Sequence, residues 1–152
     1  MAKEIERKFL VSDTSFIACA ESSSRIRQAY ISVNPDATVR LRVRDDRAFL
    51  TVKGRNKGAV RDEWEYPVPV DEVEDMAERL CGGFAIDKTR YIVDFEGWKW
   101  EVDVFHGRHE GLILAEIEIP SPDCNPPLPP FLGPEVTGNP AYYNSTLARR
   151  EL

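Results

Sequence analysis

Through most of this chain, charged and apolar side chains alternate with period two, a spacing that belongs to β-strands, where successive side chains point to opposite faces. In "EIERKFL", the residues Glu4, Glu6 and Lys8 share one face, and Ile5, Arg7 and Phe9 share the other. "VRLRVR" sets Arg40, Arg42 and Arg44 against Val39, Leu41 and Val43. The same parity collects Lys53, then Arg61, Glu63 and Glu65, then Lys88 and Arg90, then Glu101 and Asp103, and finally Glu116 and Glu118. The opposite faces carry Leu50, Val52, Trp64, Tyr66, Tyr91, Val93, Val102, Val104, Ile113, Ile117 and Ile119. One face is apolar and the other is charged with both signs.

Turn signals such as "NPDA", "RDDR" and "GRNKG" separate the strands, and the short connections predict antiparallel hairpins. About eight strands are expected. "DEVEDMAERLCGG" changes period and predicts one amphipathic helix, with Asp71 as its cap, Glu74 completing a capping box, and Gly82 and Gly83 ending it. "PSPDCNPPLPPFLGP" excludes helix interior and central strand. "NPAYYNSTLARREL" predicts a last helix, with Asn139 as cap, Pro140 in the first turn, and Tyr143 and Leu147 on one face. At 152 residues, with no repeat or linker, the chain reads as a single domain over 1–152, mainly β in an α+β sense.

The formal net charge of -6 argues against a nucleic-acid partner, since phosphate binding over a broad surface needs a basic face. No apolar run reaches the roughly 20 residues of a membrane helix, and the N-terminus is charged from Lys3, so neither a membrane partner nor a signal peptide is expected. Cys19, Cys81 and Cys124 are odd in number and widely spaced, which predicts reduced, mostly buried thiols and a cytoplasmic protein.

A solvated sheet face with cross-strand ion pairs would account for alternating charges. Such a face is usually diluted by Ser, Thr and Gln, whereas here nearly every strand presents two or more adjacent formal charges. Closing eight strands into a barrel would place these charges in a lumen. Clustered carboxylates stay ionised around a cation such as Mg²⁺ or Mn²⁺, and clustered Arg and Lys call for an anion whose oxygens match the guanidinium fork. A metal-chelated polyphosphate meets both needs at once.

"EIERKFL" resembles the ExExK signature of the CYTH superfamily, the triphosphate tunnel metalloenzymes. The likeness continues in order through "VRLRVR", "FLTVKG", "RDEWEY", "DKTRY", "EVDVF", "LAEIEI" and "YYNSTLA". It implies a closed antiparallel eight-stranded β-barrel, a tunnel with a few flanking helices, that holds a triphosphate with divalent cations. Carried over residue by residue, the resemblance implies metal binding by Glu4, Glu6, Glu116 and Glu118, with Asp103 as a further acid near the metal. It implies phosphate binding by Lys8, Arg40, Arg42, Lys53, Lys88 and Arg90; of these, Lys8, Lys88 and Arg90 are read as the catalytic cations that offset charge on the leaving oxygens. Glu63 and Glu65 match tunnel-lining acids, and Arg44 falls one step beyond the matched pair, at the strand end.

Other motifs read as structural. "GRNKG" lacks the GxxxxGK[ST] pattern and reads as a hairpin turn. His106 and His109 in "HGRH" fall in a turn where exposed polar residues are expected. Tyr142 and Tyr143 are expected to pack as core, and Trp98 and Trp100 to cover barrel surface. The resulting expectation is a divalent-metal-dependent triphosphate hydrolase, acting on inorganic tripolyphosphate by direct attack of water. A class IV-type adenylate cyclase, or a nucleotide or thiamine triphosphatase, uses the same contacts, and a non-catalytic polyphosphate or nucleotide sensor uses the bases alone. The partner is a small-molecule triphosphate, and the sequence leaves room for a homodimer.

Overall fold

The computed structural model describes residues 2–149; Met1 and residues 150–152 of the expected domain lie outside the described residues. Strands β1 (Ala2–Val11), β2 (Ser22–Asn34), β3 (Ala37–Arg44), β4 (Arg47–Lys53), β5 (Val60–Val68), β6 (Ile86–Phe95), β7 (Trp98–Phe105), β8 (Ile113–Glu118) and β9 (Leu132–Glu135) form one antiparallel sheet. Its order is β5-β4-β3-β2-β6-β7-β8-β1-β9, and pairing of β1 with β5 closes the first eight strands into a barrel. β1 makes that closure by changing partners along its length. Residues Ala2–Ile5 pair with β5, Glu6–Leu10 pair with β8, and Phe9 and Val11 also meet β9.

The barrel inverts the usual arrangement, because its apolar faces look outward. Helix α2 (Val70–Cys81) lays Val73 and Ala77 over Ala29, Leu41, Val43 and Ala48 on one side. On another side Phe9, Val93, Trp100, Val102, Ala115 and Ile117 are covered by Phe16 of helix α1 (Phe16–Cys19), by Ile119 just beyond β8 and by Phe131 from the proline-rich wrap. Burying each of these large side chains contributes about 1.5–3 kcal/mol. A third cluster of Ile86, Phe105 and Leu114, with Leu147 from helix α3 (Asn144–Arg149), seals one end of the lumen. The charged faces therefore line an interior held open by apolar packing outside it.

Several local expectations are corrected. The proline-rich segment supplies a ninth strand, β9, which lies at an end of the sheet order, where Pro134 removes no central ladder bond. Helix α2 begins at Val70 behind Pro69, with no side-chain cap; Asp71 and Glu72 occupy its first turn, and Glu74 turns to Arg27 instead of closing a capping box. Its end follows the sequence: Gly82 takes a left-handed φ of 72°, and the Gly83 N–H bonds Ala77 O. Asn139 does accept from Ala141 N–H, but it caps a single 3₁₀ turn, Pro140–Tyr142, ahead of the separate α3. His109 is buried rather than exposed, because its Nε2 lies 2.8 Å from Leu147 O in α3. None of the three cysteines is fully buried: Cys19 is exposed, and Cys81 and Cys124 are half-buried. Trp100 lies wholly within the outer core beneath the wrap, while Trp98 is half-buried against it.

Candidate active site

The lumen forms a cavity of about 250 Å³. Eight cationic side chains line it: Lys8, Arg40, Arg42, Arg44, Lys53, Arg61, Lys88 and Arg90. Seven carboxylates share the wall: Glu4, Glu6, Glu63, Glu65, Glu101, Glu116 and Glu118. The acidity of the whole chain is thus absent from its interior, where bases slightly outnumber acids.

Strand pairing sorts the two signs. β1 and β8 set Glu6 opposite Glu118 and Lys8 opposite Glu116, and like charges directly opposite one another repel. Burial, with Glu116 and Glu4 close by, pushes the Glu6 carboxyl well above its ordinary range. Burial, Glu4 and Glu101 raise Glu118 in the same direction. Among the described residues, neither Glu6 nor Glu118 has an ion-pair partner. Their neighbours do: Glu4 receives Lys53 Nζ at 2.9 and 3.0 Å, and Glu116 lies 3.6 Å from Lys8 Nζ. Burial opposes the ionisation of Glu116, but Lys8 and Arg90 outweigh it and bring its pKa to about 2. Among the described residues no three carboxylates already converge at ligand distance, since Glu4 and Glu116 face lysines. The donor set nevertheless suits a hard divalent cation, with oxygen ligands only and an excess of negative charge at one corner.

The bases occupy the remaining wall. Arg40 donates to Thr51 Oγ1 at 3.2 Å and to Glu65 Oε2 at 3.5 Å, while Glu63 lies 3.6 Å from Lys53. Arg61 donates to Gly54 O and Thr38 Oγ1. Arg90 makes a two-point contact with Asp103 at 2.8 and 2.9 Å, and Lys88 Nζ lies 2.7 Å from the same carboxylate. Asp103 is ionised despite its burial, because Arg90 and Lys88 hold it well below the usual carboxylate range. Lys88 is the surplus cation of this group. Burial, with Arg90 and Arg42 nearby, outweighs the attraction of Asp103 and lowers its pKa to about 7.

All the residues that the sequence marks as bases, as metal acids on β1 and β8, or as tunnel acids on β5 line this cavity; Asp103 is the exception. At 1% exposure it sits behind the wall with both oxygens engaged by Arg90 and Lys88, so its geometry is that of a brace for the bases. Arg44, read from sequence as strand-end surface, lines the cavity. The tyrosine pair divides: Tyr142 packs against the plug cluster, and Tyr143 faces the cavity with its hydroxyl between Asn56 Nδ2 and Gly138 O. Sequence reasoning also passed over Tyr30, Thr38, Asn56 and Asn144 on the wall. For Tyr30 a parity signal existed in "SRIRQAYISV", but both faces of that strand carry polar groups, and the lumen face was not distinguishable.

The family model for the CYTH domain matches residues 2–135. An inorganic triphosphatase of Acetivibrio thermocellus is 46% identical over 149 residues, covering 98% of this chain and 95% of that protein. An inorganic triphosphatase of Nitrosomonas europaea is 36% identical, covering 95% and 96%. A crystal structure of an inorganic triphosphatase superposes with a TM-score of 0.68 at 33% identity, covering 97% of this chain and 95% of the other. With the barrel, the two-sign lumen and these likenesses in agreement, the chain belongs to the CYTH domain family.

Proposed function

We propose that the protein is a divalent-metal-dependent inorganic triphosphatase that hydrolyses tripolyphosphate to pyrophosphate and phosphate. The observation that carries this reading is a cavity whose wall presents eight cations beside two carboxylates, Glu6 and Glu118, that have no ion-pair partner among the described residues. Among the described lining residues, the aromatic and apolar ones are Tyr30, Ala59 and Tyr143, which make no apolar slot for a purine or thiazole ring. Binding energy would come from phosphate oxygens, and inorganic triphosphate offers the most of these without a group that needs its own pocket.

Glu4, Glu6, Glu116 and Glu118 would hold the cation, Mg²⁺ or Mn²⁺. When bound, it supplies charge neutralisation for phosphate oxygens and makes coordinated water more acidic. Arg40, Arg42 and Lys53 bind and orient the phosphates. Lys8, Lys88 and Arg90 offset charge that builds as the bridging P–O bond breaks and water adds to phosphorus. Asp103 keeps Arg90 and Lys88 aimed at the substrate. Free thiols at Cys19, Cys81 and Cys124 suit the cytoplasm.

The test is to incubate pure protein with tripolyphosphate, ATP or thiamine triphosphate and Mg²⁺ or Mn²⁺, and to identify the products by ³¹P NMR. Tripolyphosphate is expected to be cleaved at least as well as the others, and EDTA is expected to stop turnover. Formation of cyclic AMP from ATP with tripolyphosphate left intact would replace the reading with a cyclase. Binding without turnover would make the protein a sensor.

A further inference from the structure

On the inner wall, β2 carries a buried polar residue that the proposed chemistry does not use. Gln28 is 0% exposed, directly opposite Arg42 on β3 and two positions before Tyr30 on its own strand. Arg42 Nε donates to Gln28 Oε1 at 2.8 Å, and Gln28 Nε2 donates to the Tyr30 hydroxyl at 3.1 Å. Chemistry sets this direction, since a guanidinium only donates; the amide oxygen must face Arg42 and the amide NH₂ must face Tyr30.

This arrangement acts on both neighbours. Arg42 is held at Nε, and its terminal nitrogens have no protein partner among the described residues. It also differs from Arg40 and Arg90, which lie beside Glu65 and Asp103, in having no carboxylate partner among the described residues. Burial, reinforced by Arg40 and Arg90, disfavours its charge, so an incoming anion supplies the opposite charge that it lacks. Tyr30 accepts from Gln28, which leaves its own proton to donate, and its ring lines the cavity. Burial keeps that proton on the hydroxyl against the pull of Arg40 and Arg42. A carboxylate at position 28 would orient Arg42 but cancel its charge, and an apolar side chain would do neither. A neutral amide orients without neutralising.

We propose that Gln28 is a positioning residue for the substrate: its amide presents Arg42 as an unneutralised fork and turns the Tyr30 hydroxyl into a donor toward the same phosphate chain. This rests on the triphosphatase reading. The experiment measures KM and kcat for tripolyphosphate, calorimetric binding of tripolyphosphate, and Tm, in wild type, Gln28→Glu, Tyr30→Phe, Arg42→Ala and the Gln28→Glu/Arg42→Ala pair. Gln28→Glu is nearly isosteric and is expected to raise KM about tenfold with a smaller change in kcat, the size of a lost charge-assisted contact. Tyr30→Phe is expected to raise KM about fivefold, for one hydrogen bond from an uncharged donor. The double variant is expected to fall short of the product of the two single effects, weaker than Arg42→Ala alone by no more than the Tyr30→Phe factor, because part of the Gln28 effect runs through Arg42. A merely structural glutamine would lower Tm and give effects that multiply. If Gln28→Glu does not fold, the ¹⁵N NMR signal of Arg42 Nε–H in wild type decides; it is expected to be protected from solvent exchange with and without tripolyphosphate, and rapid exchange overturns the proposal. An active wild type with unchanged KM in Gln28→Glu, multiplicative effects, or unchanged KM in Tyr30→Phe also overturns it. A wild type that neither binds nor cleaves tripolyphosphate removes the triphosphatase reading itself, and this proposal with it.

Discussion

Glu6 shows how a single residue can be bad for stability and useful for binding. Its carboxyl is raised by burial and by Glu116 and Glu4, so the folded state holds a proton more tightly than the unfolded chain does. Stability therefore falls as pH rises from the ordinary carboxylate range through the folded value, and above that ordinary range the buried group is a net cost. Glu6→Gln is expected to abolish turnover yet raise stability by about 1 kcal/mol, roughly 3 °C in Tm for a domain of this size, measured by calorimetry. A lower Tm would contradict the repulsion. Lys88 gives the complementary case. With a pKa of about 7 it is only partly charged near neutrality, and a bound polyanion favours the charged form. Binding of tripolyphosphate without divalent metal at about pH 7.5 is expected to take up protons, read from calorimetry in buffers of different ionisation enthalpy. Lys88→Met is expected to remove that uptake.

At the scale of elements, the wall depends on what is packed outside it. β9 lies so close to β1 that a Cβ on Gly133 would stand 3.0 Å from Leu10 O, a backbone atom that cannot swing aside. Gly133→Ala is expected to cost about 1–3 kcal/mol in denaturant unfolding through displacement of β9 and its Arg7–Glu135 contact. A neutral result would mean that β9 is free to shift. Trp100 sits at the centre of the outer cluster, in edge contact with Phe9 on β1. Trp100→Ala is expected to cost about 3–5 kcal/mol and to weaken catalysis indirectly, since β1 carries Glu4, Glu6 and Lys8.

For the whole molecule, the free lumen is an electrostatic compromise. Acid–base pairs such as Lys53–Glu4 and Arg90–Asp103 offset most of the charge, yet Glu6, Glu118 and Arg42 stay without opposite charges. A ligand that supplies them should stabilise the fold. Tripolyphosphate at about 100 times its Kd, without metal to prevent turnover, is expected to add about 2.7 kcal/mol, seen as a rise in Tm that high salt reduces. An unchanged Tm would argue against a lumen site.

Alternation by itself determined the strands, their two faces and the identity of most of the wall, because period two is a local property that each strand carries in its own residues. Arg40, Arg42 and Arg44 belong to one face wherever β3 is placed. Tertiary structure decided which charges meet. Lys53 reaches Glu4 across 49 positions, and the β6–β7 register puts Asp103 opposite Arg90. β2 shows why parity was insufficient. Its outer arginines, Arg25 and Arg27, pair with Asp87 and Glu74, so charge did not mark the inner face where Gln28 and Tyr30 lie. His109 under α3, Tyr143 at the cavity and β9 from a proline-rich run have the same origin. Their partners come from distant parts of the chain, and only closure and packing bring those parts together.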